Sequence, residues 1–274
     1  MKIGKIGLLL ILSAWLVPSP LSAQTASTSV PADSNYTLSQ VELQTSLQEV
    51  EALRSKGSYL EAKSRYQTLI QYDLSAEDRG LIRKKMDDLN MKILFSPVLT
   101  DNSVQHTVKK GDSLYEIAKK YGTTIELIKK SNSLSSDVIR PGIKLKISKA
   151  VFSISVDVSE NKLTLFADKE PLKTYSVATG RTGHGTPLGT FKIVNKLTDP
   201  TWYKAGAVAA PGSPENILGT RWLGFSLDGY GIHGTTLPET IGTHASEGCI
   251  RMLNNEVEEL YSIVPTGVSV TLAE

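Results

Sequence analysis

Phe152-Ser153-Ile154-Ser155-Val156-Asp157-Val158-Ser159-Glu160-Asn161-Lys162-Leu163-Thr164-Leu165-Phe166-Ala167-Asp168-Lys169 reads as one β-hairpin and the start of the next. Apolar and polar residues alternate from Ser153 to Val158, Glu160-Asn161 turns, Leu163 to Phe166 returns, and Asp168-Lys169 turns again. Thr174 to Ala178 and Phe191 to Val194 continue the series. Many short strands with turn signals predict an antiparallel sandwich or barrel. A helix over Asn255 to Val264 and a last strand over Val268 to Leu272 complete a mainly β unit spanning 151–274.

Two stretches inside this unit carry chemistry. Cys249, the single cysteine of 274 residues, lies in Ser246-Glu247-Gly248-Cys249-Ile250-Arg251-Met252, sixteen positions after His233 of Ile232-His233-Gly234-Thr235. A lone cysteine forms no internal disulfide, so its presence asks for another explanation. A thiol is mostly protonated at neutral pH and needs a base. His233 is the candidate base, with the Gly234 carbonyl or a neighbour fixing its tautomer. The N–H groups of Gly248 and Cys249 are candidate oxyanion donors, and Arg251 is a fixed cation for a substrate carboxylate. Ser246 and Tyr230 join Arg251 as candidate substrate contacts.

The bland alternatives bear on the same residues. A single cysteine is often inert packing, but Gly248 and Arg251 beside it argue against a plain core position. His184 is expected in a loop and His244 at the surface or behind the site. A zinc site of His244, Glu247 and Cys249 has no common spacing, and neither metal nor organic cofactor is expected. Thr179-Gly180-Arg181-Thr182-Gly183-His184-Gly185-Thr186-Pro187-Leu188-Gly189 is rich in glycine, yet no phosphate-loop ending or helix follows it. Trp202, Tyr203 and Trp222 are either a lid or core aromatics, with core the expectation.

Upstream, residues 104–148 form a β-α-α-β unit. Short strands at His106 to Val108 and Lys144 to Ile147 flank two helices, opened by capping boxes at Ser113/Glu116 and Thr123/Glu126 and separated by Gly122. Residues 38–96 read as a small helical module. Val41, Leu43, Leu47, Val50 and Leu53 form a stripe closed by Lys56-Gly57. Gly57-Ser58-Tyr59-Leu60-Glu61-Ala62 resembles half of a tetratricopeptide repeat, and Ser75-Ala76-Glu77-Asp78 opens a third helix with Leu81, Ile82 and Leu89 inward.

Residues 1–23 read as a secretory signal: Lys2 and Lys5, an apolar run from Ile6 to Val17, Pro18 and Pro20, and a small residue, Ala23, at the expected cleavage site. Residues 24–37 read as a disordered leader. Export to the periplasm or cell wall is therefore expected, with no stable membrane span after cleavage. Residues 104–148 carry nine Lys/Arg against four Asp/Glu, while 151–274 carry nine against thirteen. The overall balance gives no sign of nucleic-acid binding, and a basic module beside an acidic one suits an anionic matrix or simply two solvated faces.

Two resemblances follow from these residues. Val108-Lys109-Lys110-Gly111-Asp112-Ser113-Leu114 with Pro141-Gly142-Ile143-Lys144-Leu145 resembles a LysM domain, which implies binding of N-acetylglucosamine-containing glycans such as peptidoglycan. Its groove would be lined around Gly111–Ser113 and Val138–Pro141. Residues 152–273 resemble the catalytic domain of L,D-transpeptidases of the YkuD/ErfK type. The matching stretches are Ala178-Thr179-Gly180, Thr186-Pro187-Leu188-Gly189-Thr190-Phe191, Leu218-Gly219-Thr220-Arg221-Trp222, Ile232-His233-Gly234-Thr235 and Gly248-Cys249-Ile250-Arg251-Met252. That resemblance implies a β-sandwich-like fold, Cys249 as nucleophile, His233 as base, Gly234 as orienting carbonyl, and 3→3 cross-linking of peptidoglycan stems. One departure is Glu247, where many members have histidine, and its carboxylate is expected to point outward. A hydrolase using the same thiol and a non-catalytic peptidoglycan-binding protein are the alternatives.

Overall fold

The structure, a computed structural model, describes residues 37–204 and 206–274. The predicted signal, and all but the last residue of the predicted leader, lie outside them.

Three helices come first: α1 (Gln40–Ser55), α2 (Tyr59–Leu69) and α3 (Ala76–Leu94). Ser39 and Glu42 cap α1 reciprocally, and Ser75 caps α3 by accepting from the Asp78 N–H, so each start is fixed by the residue type that satisfies free N–H groups. Leu43, Leu47 and Val50 are buried, whereas Val41 is exposed. Two residues from Leu43 is 200° around a helix, so Val41 falls on the opposite face. Leu81 is likewise exposed while its neighbour Ile82 is buried.

The second unit pairs β1 (Ser103–Thr107) with β2 (Lys144–Ser148) around α4 (Leu114–Tyr121) and α5 (Ile125–Ser131). Ser113 caps α4, and Gly122 ends it at φ 66°. Thr124, not Thr123, caps α5, because its hydroxyl accepts from the Leu127 N–H.

The remaining strands are β3 (Phe152–Asp157), β4 (Lys162–Ala167), β5 (Glu170–Ser176), β6 (Thr179–Gly180), β7 (Gly189–Thr198), β8 (Trp202–Lys204) and β9 (Ala207–Ala209). They continue with β10 (Arg221–Phe225), β11 (Gly231–His233), β12 (His244–Ser246), β13 (Ile250–Arg251), helix α6 (Asn254–Ile263) and β14 (Ser269–Ala273). Eight of them form one curled sheet in the order β13-β11-β10-β7-β14-β3-β4-β5. It is mixed rather than purely antiparallel, since β14 runs parallel to β3 and β11 parallel to β13. The expected turns hold Asn161, Asp168 and Lys169 at positive φ, which closes the two hairpins.

These units share a core. Met91 and Leu94 of α3 and Leu127 of α5 pack into the same cluster as Ile154, Leu163, Ile193, Leu260 and Val270. Helix α3 also meets the outer edge of β5, where Asp87 accepts from the Thr174 N–H and Asn90 donates to the Leu172 carbonyl. An exposed strand edge is thereby covered. Lys146 is 4% exposed, and its Nζ donates to the carbonyls of Ile93 (2.7 Å), Ser96 (2.9 Å) and Leu94 (3.4 Å). An ammonium on the open carbonyls at a helix C-terminus is the charge that position favours. Lys146→Met should therefore lower unfolding stability by about 1–2 kcal/mol, read as a fall in the urea midpoint, because the Ser96 carbonyl loses its donor while those of Ile93 and Leu94 keep the Ser96 and Ser131 hydroxyls.

Candidate active site

Cys249 and His233 line one cavity of about 320 Å³ at the end of the sheet formed by β11 and β13. His233 ends β11, which pairs with Trp222 of β10 on one side and Arg251 of β13 on the other. Cys249 sits in the turn between β12 and β13. The imidazole is 2% exposed, and the Trp222 ring stacks on it with centroids 5.9 Å apart at 20°. Trp222, Trp202 and Tyr203 all line the cavity, and Tyr203 is 73% exposed, so these aromatics form its wall rather than the interior core.

His233 Nδ1 lies 2.7 Å from the Gly234 carbonyl. A carbonyl only accepts, so Nδ1 carries the proton and Nε2 is left with its lone pair. Burial pulls the imidazole down to about 4, with the Gly234 carbonyl opposing and Arg251 reinforcing that shift. Burial pushes the Cys249 thiol up, Glu247 adds to the rise, and the Gly231 N–H and Arg251 oppose it. Both directions favour a neutral thiol beside a neutral imidazole. No hydrogen bond joins the two in this structure; Cys249 Sγ instead faces the Gly229 carbonyl at 3.5 Å.

The sign of the pH dependence follows. Thiolate appears only above the ordinary thiol value of about 8.5, and imidazolium only well below neutrality. Alkylation of Cys249 by iodoacetamide should rise through a single inflection above pH 8.5, with no plateau between pH 5 and 8. A low-pH plateau would indicate a thiolate–imidazolium pair and sink the neutral-pair account.

The cysteine turn is built by its own residues. Ser246 is fully buried, and its Oγ donates to the Cys249 carbonyl (2.6 Å) and accepts from the Gly248 N–H (3.0 Å). Although Ser246 borders the cavity, its hydroxyl is committed to holding the turn. The Gly248 N–H is committed with it, so of the two expected oxyanion donors only that of Cys249 makes no hydrogen bond among the described residues. Gly248 has φ +109°, and a Cβ there would lie 2.7 Å from the Tyr230 ring. Tyr230 thus props the turn from beneath and is not among the cavity's lining residues.

The glycine-rich segment backs the same turn. Arg181 N–H donates to the Ser246 carbonyl, and a Cβ on Gly180 would fall 2.3 Å from the His184 carbonyl. His244 is exposed and holds Thr179 through Nδ1 at 2.8 Å. No group of three residues able to hold a metal occurs among the described residues. Arg251 lines the cavity at 7% exposure, and its Nε has no hydrogen-bond partner. Glu247 also borders the cavity, half exposed, with its carboxylate 3.7 Å from Arg181, so it does not simply face outward.

Asn254 has no place in the sequence reading. Its Oδ1 accepts from the Thr220 (3.3 Å) and Thr235 (3.1 Å) N–H groups, and its Nδ2 donates to the Thr235 carbonyl (3.0 Å). It fastens the turn that carries Gly234. Gly219 and Gly234 are needed around it, since a Cβ on either would lie within 2.2 Å of Oδ1.

A family described as the L,D-transpeptidase catalytic domain matches residues 152–272, and the LysM domain family matches 106–148. Two Bacillus subtilis (strain 168) proteins, YqjB and YkuD, both carrying provisional L,D-transpeptidase names, are similar. YqjB is 40% identical over 126 residues, covering 44% of this chain and 70% of YqjB. YkuD is 36% identical over 174 residues, covering 61% of this chain and 97% of YkuD. Among solved structures, an L,D-transpeptidase from Mycobacterium smegmatis aligns at a TM-score of 0.40 and 20% identity, covering 48% of this chain and 64% of that one.

Proposed function

The chain belongs to the YkuD-type L,D-transpeptidase family, and from that premise we propose that Cys249 takes an acyl group from a peptidoglycan stem and passes it to an amine. The donor is a tetrapeptide stem whose third-residue carbonyl is attacked, with D-alanine leaving. The acceptor is the side-chain amine of a neighbouring stem, giving a 3→3 cross-link.

One observation supports this most: a thiol and a neutral imidazole of fixed tautomer line a cavity that also holds a buried guanidinium. His233 Nε2 takes the thiol proton as the C–S bond forms, because neither group is ionised beforehand. The Cys249 N–H meets the developing oxyanion, and Arg251 holds a donor carboxylate. His233 then protonates the departing D-alanine amine. In the second half an acceptor amine adds to the thioester, loses a proton to His233, and that proton returns to Sγ.

LysM domains bind peptidoglycan, and here such a domain would keep the catalyst on its polymer, raising the effective concentration of a weakly bound stem. The predicted signal would deliver the protein to the periplasm or cell wall. No helix among the described residues is long and apolar enough to cross a membrane.

Mass spectrometry of the purified protein with disaccharide-tetrapeptide tests the reading. A dimer lighter than two substrates by one alanine is expected. Tripeptide alone would make the protein a carboxypeptidase using the same thiol, and unchanged substrate would point to a non-catalytic wall-binding protein.

A further inference from the structure

The cavity is electrically two-sided. Among the described residues that line it, Arg251 is the one guanidinium and Glu247 the one carboxylate. Arg251 is buried with an unpartnered Nε, whereas Glu247 stands half exposed at the rim beside the glycine-rich segment, its carboxylate 3.7 Å from Arg181. Both flank Cys249, two positions before it and two after. Opposite charges on either side of one nucleophile match a reaction whose two substrates differ in charge: a donor bearing carboxylate and an acceptor bearing ammonium.

We propose that Glu247 is the residue that selects the acceptor, drawing a primary ammonium group to the cavity rim beside the acylated Cys249. This rests on the transpeptidase reading above and adds the group that recognises its amine acceptor. The ammonium sheds one proton to water at the rim. The free amine then adds to the thioester carbonyl, its second proton passes to His233 Nε2, and that proton reaches Sγ as the C–S bond breaks. Atoms balance as thioester plus amine giving amide plus thiol. Arg181 reaches Glu247 from the neighbouring segment at 3.7 Å, and both side chains stand about half exposed. Because the carboxylate is half exposed, its attraction is screened by salt.

The test compares two nucleophiles on the same acyl-enzyme at pH 8: the amide of Nα-acetyl-lysine, which is cationic, and hydroxylamine, which is not. The readout is the ratio of transfer product to hydrolysis product for each, in wild type and in Glu247→Gln. The expected result is a ratio roughly fivefold lower for the cation in the variant, the scale of one half-exposed ion pair, with its salt dependence lost. The hydroxylamine ratio should hold, which a general distortion of the turn would not allow. An equal fall for both nucleophiles, or no fall for either, overturns the role of Glu247 while leaving acyl transfer intact. A wild type that acylates yet transfers to neither nucleophile overturns the transpeptidase reading, and the proposal with it.

Discussion

Cys249→Ser should leave no detectable acyl-enzyme and lower release of D-alanine by about a thousandfold or more, measured by intact-mass spectrometry and by alanine quantification. The reason lies in the base. His233 is held near 4 by burial, so in the proposed mechanism it would draw a proton only weakly and would need a thiol, because sulfur parts with its proton readily. A serine hydroxyl parts with its proton far less readily, and nothing in the cavity makes good the difference. The shorter C–O bond also withdraws the nucleophile from a wall already crowded by Trp222 on the imidazole. A serine variant retaining a tenth of the activity would mean that His233 is a much stronger base than its burial allows.

The second large effect is expected at a residue that touches neither nucleophile nor base. Asn254→Ala should lower unfolding stability by about 3 kcal/mol and cut acylation by at least about tenfold, because three hydrogen bonds vanish and the partner groups are left unsatisfied. Two of those bonds hold the turn whose Gly234 carbonyl sets the His233 tautomer. Asn254→Asp keeps the acceptor that serves Thr220 and Thr235 and loses only the donor to the Thr235 carbonyl. It should fall between wild type and alanine in both the urea midpoint and the acylation rate. Equal losses in the two variants would show that the acceptor oxygen is not what holds the turn.

What the sequence disclosed and what it hid divide along a physical line. The hairpins around Glu160-Asn161 and Asp168-Lys169 were legible because alternation and turn chemistry are local. That Cys249 and His233 would line one cavity was legible because a thiol and an imidazole stand only sixteen positions apart. Asn254 and Lys146 were not, because they have partners far away in sequence: Thr220 is 34 residues from Asn254, and Ile93 is 53 from Lys146. Ser246 and Tyr230, three residues before Cys249 and His233 respectively, were expected at the substrate, yet one is spent inside the turn and the other lies beneath it. Direction, not distance along the chain, decides such roles. The aromatics at 202, 203 and 222 misled for a related reason, since large rings suit the wall of a cavity as well as a core.

Lys146 on the carbonyls that end α3, Thr124 and Lys130 on Ser262 of α6, and Ser131 on the Leu94 carbonyl lock the LysM unit between its neighbours. Only three residues separate β2 from β3. Such an enzyme is a caliper rather than a hook on a string. If the protein works on a wall polymer as proposed, these bonds would set the separation of the LysM unit and the cavity when the chain folds. Slack would then have to come from the mesh, and the pitch of the glycan and the stretch of the stems would choose which neighbours are joined.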